Sequence, residues 1–185
     1  MFFIDGHCDT LSKALDENKD LFDNNLQFSF KKVKSIGGGV QVMACFIDTE
    51  FLNENKYGEN AGFNRCKMIL DKLKDYELSN NLNITIKNKK DLLDCVENNS
   101  IKVILSIENG SAISKKIENI EYLYNRGIRV MSVTWNDDNE LGCGAHTLND
   151  TGLTRIRHWI HKKIKPVRNY SWCFPFIRKK FLGCY

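Results

Sequence analysis

Short apolar runs alternate along the chain with segments whose apolar residues recur every three or four positions. Four of the runs are apolar on both faces and predict buried strands, over residues 2–4, 40–47, 101–107 and 129–134. The helical spacing predicts helices over residues 10–16, 60–78, 89–96 and 113–125. Gly127 is placed to end the last helix, residues 84–86 predict a minor strand, and residues 18–35 are expected to be irregular.

Strands and helices follow one another in the order expected of a parallel sheet covered on both faces, which is an α/β fold. No G-x-G-x-x-G segment follows the first strand, so a dinucleotide-binding fold has no support. A barrel of eight repeated βα units has the same order of elements, but it needs about 250 residues. Only about four such units are readable in this chain of 185 residues.

The charge balance changes sharply near the end of the chain. All 23 acidic residues precede residue 151, whereas nine of the 27 basic residues and both prolines follow residue 150. We therefore divide the chain into residues 1–154 and an atypical basic tail, residues 155–185. The tail mixes basic with aromatic residues, which leaves open a non-enzymatic binding protein that contacts nucleic acid or anionic lipid through Trp159, Tyr170, Trp172 and Phe174.

The composition also bears on the cellular compartment. No run of 18 or more apolar residues is present, so no membrane-spanning helix is predicted. The chain becomes polar at Asp5 without a preceding basic segment, unlike a secretory signal. Seven scattered cysteines without a C-x-x-C pair favour reduced thiols over a disulfide framework or a zinc ribbon. These features predict a cytoplasmic protein.

Polar segments directly follow three of the predicted strands. In the first segment His7 and Asp9 are two positions apart, so in an extended chain their side chains point the same way. An imidazole and a carboxylate together suit a divalent cation such as zinc or manganese. The alternative is that Asp9 or Thr10 begins a helix and that His7 has no special role.

The other two segments begin at Glu108 and Thr134. A carboxylate at the end of an apolar strand needs a partner, and a metal pair is one because a carboxylate can bridge two cations. A lysine, or a helix beginning near Ser111, is the alternative partner for Glu108. Trp135 could wall a substrate pocket and Asn136 could hydrogen-bond to substrate, although a segment rich in Asn and Asp is also typical of a plain turn.

The common position of the three segments favours an enzyme. In barrel enzymes the catalytic groups gather at the carboxyl ends of the strands, where all three segments fall, and this favours a metal-dependent hydrolase. Cys8 alternates to the face opposite His7 and is expected to be a packed thiol. His146 has no partner at ligand spacing and is expected to be an ordinary loop histidine, and no G-x-S-x-G segment supports a serine triad.

Several segments resemble, in order and spacing, those of the membrane dipeptidases, also called renal dipeptidases, a branch of the metal-dependent amidohydrolases. Ile4-Asp-Gly-His-Cys-Asp-Thr10 is similar to the family's opening D-G-H-x-D. Ser106-Ile-Glu-Asn-Gly110 is similar to its E-G-G segment, with Asn109 in place of a glycine. The resemblance extends over about residues 2–154 and includes residues 37–42, 127–142 and 149–154.

This resemblance implies a fold and a chemistry. The fold is a TIM-type (β/α)8 barrel, of which residues 1–154 would be the N-terminal part. The site would hold two zinc ions, the first bound by His7 and Asp9, with Glu108 as the catalytic carboxylate that bridges both. The substrate would be a small dipeptide, and Trp135 stands where some relatives have a substrate-contacting histidine. Neither nucleic acid nor a membrane is expected as a partner, and a homo-oligomer remains open.

The resemblance ends just after Thr154. The family's later histidine ligands, its substrate-binding arginine and its proton-transfer aspartate have no counterpart, and His158 and His161 lack the family's surrounding sequence. We expect a truncated chain whose residues from about 155 onward come from a shifted reading frame or are poorly ordered. We also expect weak zinc binding and dipeptide hydrolysis at or near background. Another amidohydrolase, a deacetylase or lactonase, is the alternative enzyme, although Asp9 in place of a histidine favours the dipeptidase branch.

Overall fold

A computed structural model describes residues 1–52, 58, 60–148, 151, 154 and 171–173 of the chain. In these residues a five-stranded sheet has the order β1-β2-β3-β4-β5, and every neighbouring pair is parallel. The strands are β1 (Phe2–Cys8), β2 (Gly38–Phe46), β3 (Ile101–Glu108), β4 (Ile128–Ser132) and β5 (Ser171–Cys173). The predicted α/β fold is therefore confirmed, and the strand order is that of a (β/α) barrel.

Helices connect the strands and pack on the sheet. They are α1 (Thr10–Asp16), α2 (Phe30–Lys34), α3 (Thr49–Leu52), α4 (Ala61–Ser79), α5 (Lys89–Glu97) and α6 (Ile117–Asn125). A short 3₁₀ turn, Gly110–Ile113, follows β3 and packs against α4. Among the described residues, no helix combines the length and the apolar character that crossing a bilayer requires.

The two faces of the sheet differ in burial. On β3, Val103, Leu105 and Ile107 are fully buried in the main core, together with Ile69 and Leu73 of α4. On the other face of β3, Ile104 and Glu108 are only partly buried, whereas Ser106 between them is buried. Because side chains alternate along a strand, β3 presents one face to the helices and the other to a partly open concave side.

The predicted elements are present, with local differences. The helix over residues 10–16 has the predicted bounds, and residues 84–86 contribute a single bridge from Thr85 to Val103. The helix predicted from residue 113 begins only at Ile117, because Ser114 and Lys115 have positive φ angles that a right-handed helix excludes. Helices α2 and α3 were not predicted. Gly127 has a φ of 109° just after α6, as its predicted helix-ending position requires.

The predicted basic tail contains a strand that the sequence did not indicate. Ser171–Cys173 pairs with residues 130–132 of β4. The predictions for His158, His161 and the rest of residues 155–185 lie outside the described residues.

Candidate metal centre

His7 and Asp9 come from the carboxyl end of β1, where the pairing with β2 is irregular. Asp5 pairs with Gln41 and Cys8 with Met43, so three steps along β1 face two along β2. The backbone N–H of His7 donates to Asp5 Oδ1 at 3.1 Å within this bulge. Bulges re-aim the side chains beside them, and here His7 Nε2 lies 3.3 Å from Asp9 Oδ1.

Glu108 is the last residue of β3 and joins this pair from the far side of β2. Its Oε2 lies 3.4 Å from His7 Nε2. One ligand atom from each of His7, Asp9 and Glu108 lies within 4.8 Å of the others. The structure thus brings together all three residues that the sequence predicted as metal ligands.

The cluster is partly shielded from solvent. The side chains of His7, Asp9 and Glu108 are 50%, 38% and 24% exposed. Burial raises the pKa of Glu108 above its usual value; His7 opposes that shift and the negative charge of Asp9 adds to it. The Asp9 and Glu108 carboxylates repel each other at this distance, and a positive charge beside them would stabilise their ionised forms.

The donor set fits a divalent cation. Asp9 Oδ1 is buried and makes no hydrogen bond within the described part of the chain, even though His7 Nε2 is close to it. A buried carboxylate oxygen without a partner is costly, and a cation would satisfy it. One imidazole nitrogen and carboxylate oxygens are ligands that zinc accepts in proteins.

A cavity of about 270 Å³ opens beside the cluster on the concave side of the sheet. His7 and Glu108 line it, and so does Trp135, whose ring meets Phe46 edge-on with centroids 4.7 Å apart. Trp135 therefore lines the cavity beside His7 and Glu108, and its contact with a substrate stays a prediction. Asn136 is not part of the cavity wall; its carbonyl instead accepts from the His146 N–H at 2.7 Å, which fixes a turn.

Three hydroxyl residues line the cavity; the sequence analysis named Thr134 as the start of a polar segment but did not identify the two serines. Ser106 lies two positions before Glu108 on β3, and Ser132 and Thr134 have the same spacing at the end of β4. The period of two along a strand was the signal that could have found them, since it places them on the same face as Glu108. Ser106 Oγ donates to Met43 O at 3.2 Å, and Thr134 Oγ1 donates to Cys143 O at 3.1 Å.

Two other candidates lie apart from the cluster. Cys8 is buried, and burial raises the pKa of its thiol, as expected for a packed cysteine. His146 lies in a turn, with its Nδ1 3.9 Å from Asp137 Oδ1, and its side chain is mostly exposed.

The family model of membrane dipeptidases, peptidase family M19, matches residues 1–158. Among curated protein sequences, none is similar enough to this chain to count as a match.

Solved structures of similar fold include two metallopeptidases and a probable dipeptidase. A metallopeptidase from Rhodobacter sphaeroides, liganded with a phosphinate mimic of the dipeptide L-Ala-D-Ala, is 13% identical with a TM-score of 0.73, over 96% of this chain and 60% of that one. Dipeptidase AC, a metallopeptidase of family M19, is 13% identical with a TM-score of 0.74, and the match covers 96% of this chain and 57% of that one. The probable dipeptidase PvdM from Pseudomonas aeruginosa is 12% identical with a TM-score of 0.74, and the match covers 98% of this chain and 48% of that one.

This chain therefore spans between 48% and 60% of the length of these relatives. Over that length it has the relatives' fold, and the prediction of a partial TIM-type barrel is confirmed.

Proposed function

Since the chain belongs to the membrane dipeptidase family, we propose that His7, Asp9 and Glu108 form part of the metal site of a dipeptide-hydrolysing enzyme. One observation carries this proposal: ligand atoms from β1 and β3 converge within 4.8 Å, and one of them, Asp9 Oδ1, is buried without a hydrogen bond in the described residues. Side chains that only stabilise the fold would be expected to satisfy one another.

Zinc is the proposed ion, because imidazole nitrogen and carboxylate oxygens are among its usual ligands in proteins and because the resemblance to the family implies zinc. Bound zinc lowers the pKa of a coordinated water and polarises a carbonyl oxygen, which is the chemistry that peptide hydrolysis requires.

The chain's own residues have distinct parts in this proposal. His7 would bind through Nε2, which must be unprotonated to do so, and Asp9 would bind through Oδ1. Glu108 both belongs to the cluster and lines the cavity, so its carboxylate would face the ion and the substrate together. Trp135, packed against Phe46, would form an apolar wall that shields the scissile bond from bulk water.

A small dipeptide is the proposed substrate. A cavity of about 270 Å³ lies beside His7 and Glu108, and a second of about 790 Å³ lies beside His7 and Asp9. Ligand pockets usually measure roughly 300–1,000 Å³, so the cluster has room for a small molecule. The Rhodobacter sphaeroides relative holds a mimic of L-Ala-D-Ala, and this supports a dipeptide here. The cytoplasmic location and the oligomeric state stay predictions.

Metal binding by the purified 185-residue chain tests the proposal. We expect one zinc ion per chain, because the described residues contain one such cluster. His7→Ala and Asp9→Ala each remove a ligand and should weaken binding by more than about 100-fold, beyond the roughly 10- to 100-fold typical of groups that only orient ligands. Competition against a zinc-binding dye measures the dissociation constant.

His146→Ala is the matched control, because His146 also lies near an aspartate but outside the cluster. Its zinc affinity should equal that of the unaltered chain. If the unaltered chain binds no zinc, or if His7→Ala binds it equally well, the proposal is wrong.

A further inference from the structure

Asn109, the residue directly after Glu108, has a conformation that costs an asparagine more than a glycine. Its φ is 77°, and its side chain is buried, with 2% of the residue exposed. Asparagine adopts the left-handed helical region fairly often, but the ψ of Asn109 is 108°, outside that region. Such a conformation persists only where surrounding contacts enforce it.

The Asn109 side chain joins segments that follow different strands. Its Nδ2 donates to Ile47 O, just past β2, at 2.9 Å. Its Oδ1 accepts from Ser111 N at 3.2 Å and from Asn139 Nδ2 at 2.7 Å. In addition, the backbone N–H of Asn109 donates to Ser132 Oγ, at the end of β4, at 2.8 Å. The position of Glu108 is thus fixed relative to both neighbouring strands.

Asn139 extends the same network into the loop after β4. Its Nδ2 also donates to Val133 O at 2.8 Å, and its Oδ1 accepts from Leu141 N at 2.8 Å and from Gly142 N at 3.3 Å. These bonds close the loop that carries Trp135. One amide–amide contact, Asn139 to Asn109, therefore links the Trp135 loop to the residue after Glu108.

We propose that Asn109 and Asn139 are positioning residues, which hold the Glu108 carboxylate and the Trp135 loop in the arrangement that binds the cation. This inference rests on the proposed function, because it assigns the pair to the same site. Neither side chain belongs to the cluster or lines the cavity. Their effect on the cation comes through the backbone on either side of Glu108.

The test compares zinc affinity in Asn109→Gly and Asn139→Ala. Asn109→Gly removes the side-chain bonds while leaving a residue that adopts a positive φ readily. It also restores the glycine of the family's E-G-G segment, so a loss of affinity would show that this chain depends on its own Asn109–Asn139 contact. We expect each variant to bind Zn²⁺ about 10-fold more weakly, the low end of the range for groups that orient metal ligands. Amides of residues 133–142 should exchange hydrogen faster in both variants, whereas the far-ultraviolet circular dichroism should be unchanged.

Asn99→Gly is the matched control. Asn99 also has a positive φ, 48°, and its Oδ1 accepts one backbone bond, from Gly38 N at 3.2 Å. It lies at the opposite end of the sheet, beside the first residues of β2 and β3. The same substitution there should leave zinc affinity unchanged.

The outcomes separate this inference from the proposed function. If the unaltered chain binds no zinc, both are wrong. If it binds zinc and either variant keeps the full affinity while folded, the positioning role is wrong and the metal site stands. If both variants fail to fold, the pair is structural, which also overturns the positioning role.

Discussion

Glu77, near the end of α4, organises a segment that has almost no regular structure of its own. Its Oε1 accepts from Ile84 N and Thr85 N, both at 3.0 Å, and from Thr85 Oγ1 at 2.9 Å. The side chain is only 7% exposed. Because Thr85 bridges to Val103 on β3, this one carboxylate connects the end of a helix to the sheet.

Removing that carboxylate should destabilise the fold. Glu77→Ala leaves two buried backbone N–H groups without an acceptor, which we expect to lower the free energy of unfolding by about 2–4 kcal/mol. Glu77→Gln keeps an oxygen acceptor, so its free energy of unfolding should fall clearly less than that of Glu77→Ala. Urea denaturation of the three proteins measures the difference, and equal stability of the alanine and glutamine variants would contradict this account.

Asn139 also shows what cannot be inferred about single residues from the sequence. His7, Asp9 and Glu108 were identifiable because each follows a recognisable strand and carries a typical metal-binding group. Asn139 lies in a run of Asn and Asp that looks like an ordinary turn. Its contact with Asn109 joins residues 30 positions apart, and no local pattern encodes such a pairing.

At the scale of elements, the two helices that the sequence did not predict, α2 and α3, are the two shortest. Helices α4 and α5 were predicted to within a residue or so at each end, because each is long enough for the apolar spacing to repeat. Helix α2 has five residues, too few for a repeat. It depends instead on Ser29, whose side chain accepts from Lys32 N, and on the burial of Phe30 and Val33.

Packing between elements reverses the usual effect of a helical glycine. Gly62 lies in α4 against the 3₁₀ turn, and a Cβ added there would come within 2.3 Å of Ser111 O. Replacing a helical glycine with alanine ordinarily stabilises by about 1 kcal/mol. Because the obstacle here is backbone, we expect Gly62→Ala to destabilise by about 1–3 kcal/mol.

Gly6→Ala is the control, since a Cβ added at that residue meets nothing within 4 Å. Its stability should change by no more than about 0.5 kcal/mol. Thermal or urea denaturation measures both variants. Finding that Gly62→Ala is more stable than the unaltered chain would show that α4 and the turn can move apart without cost.

At the scale of the whole molecule, the parallel sheet explains why distant polar residues meet. The carboxyl ends of β1 and β3 lie at one edge, so side chains at those ends converge on one point above β2. This much followed from the order of predicted strands. The sequence did not predict β5, because Ser171–Cys173 lies in a basic, aromatic segment without the apolar run that marks the other strands.

The number of ligands sets the expected activity of the chain. The described residues supply one cluster of three ligands, whereas the resemblance to the family implies two ions. One ion should activate the attacking water less than two would. We therefore expect dipeptide hydrolysis at or near background with zinc present. Release of free amino acids from a dipeptide panel measures it, with Glu108→Gln and a chelator-treated sample as controls. Cleavage well above both controls would contradict the prediction.

The span of chain between the two halves of the cluster has a consequence for folding. His7 and Asp9 stand near the start of the polypeptide and Glu108 beyond its midpoint, so an unfolded chain holds them apart and only the assembled strands unite them. An ion that binds the native state alone stabilises it in proportion to the logarithm of its concentration. Cellular supply of the metal would then influence how long each molecule survives proteolysis, quite apart from any turnover of substrate.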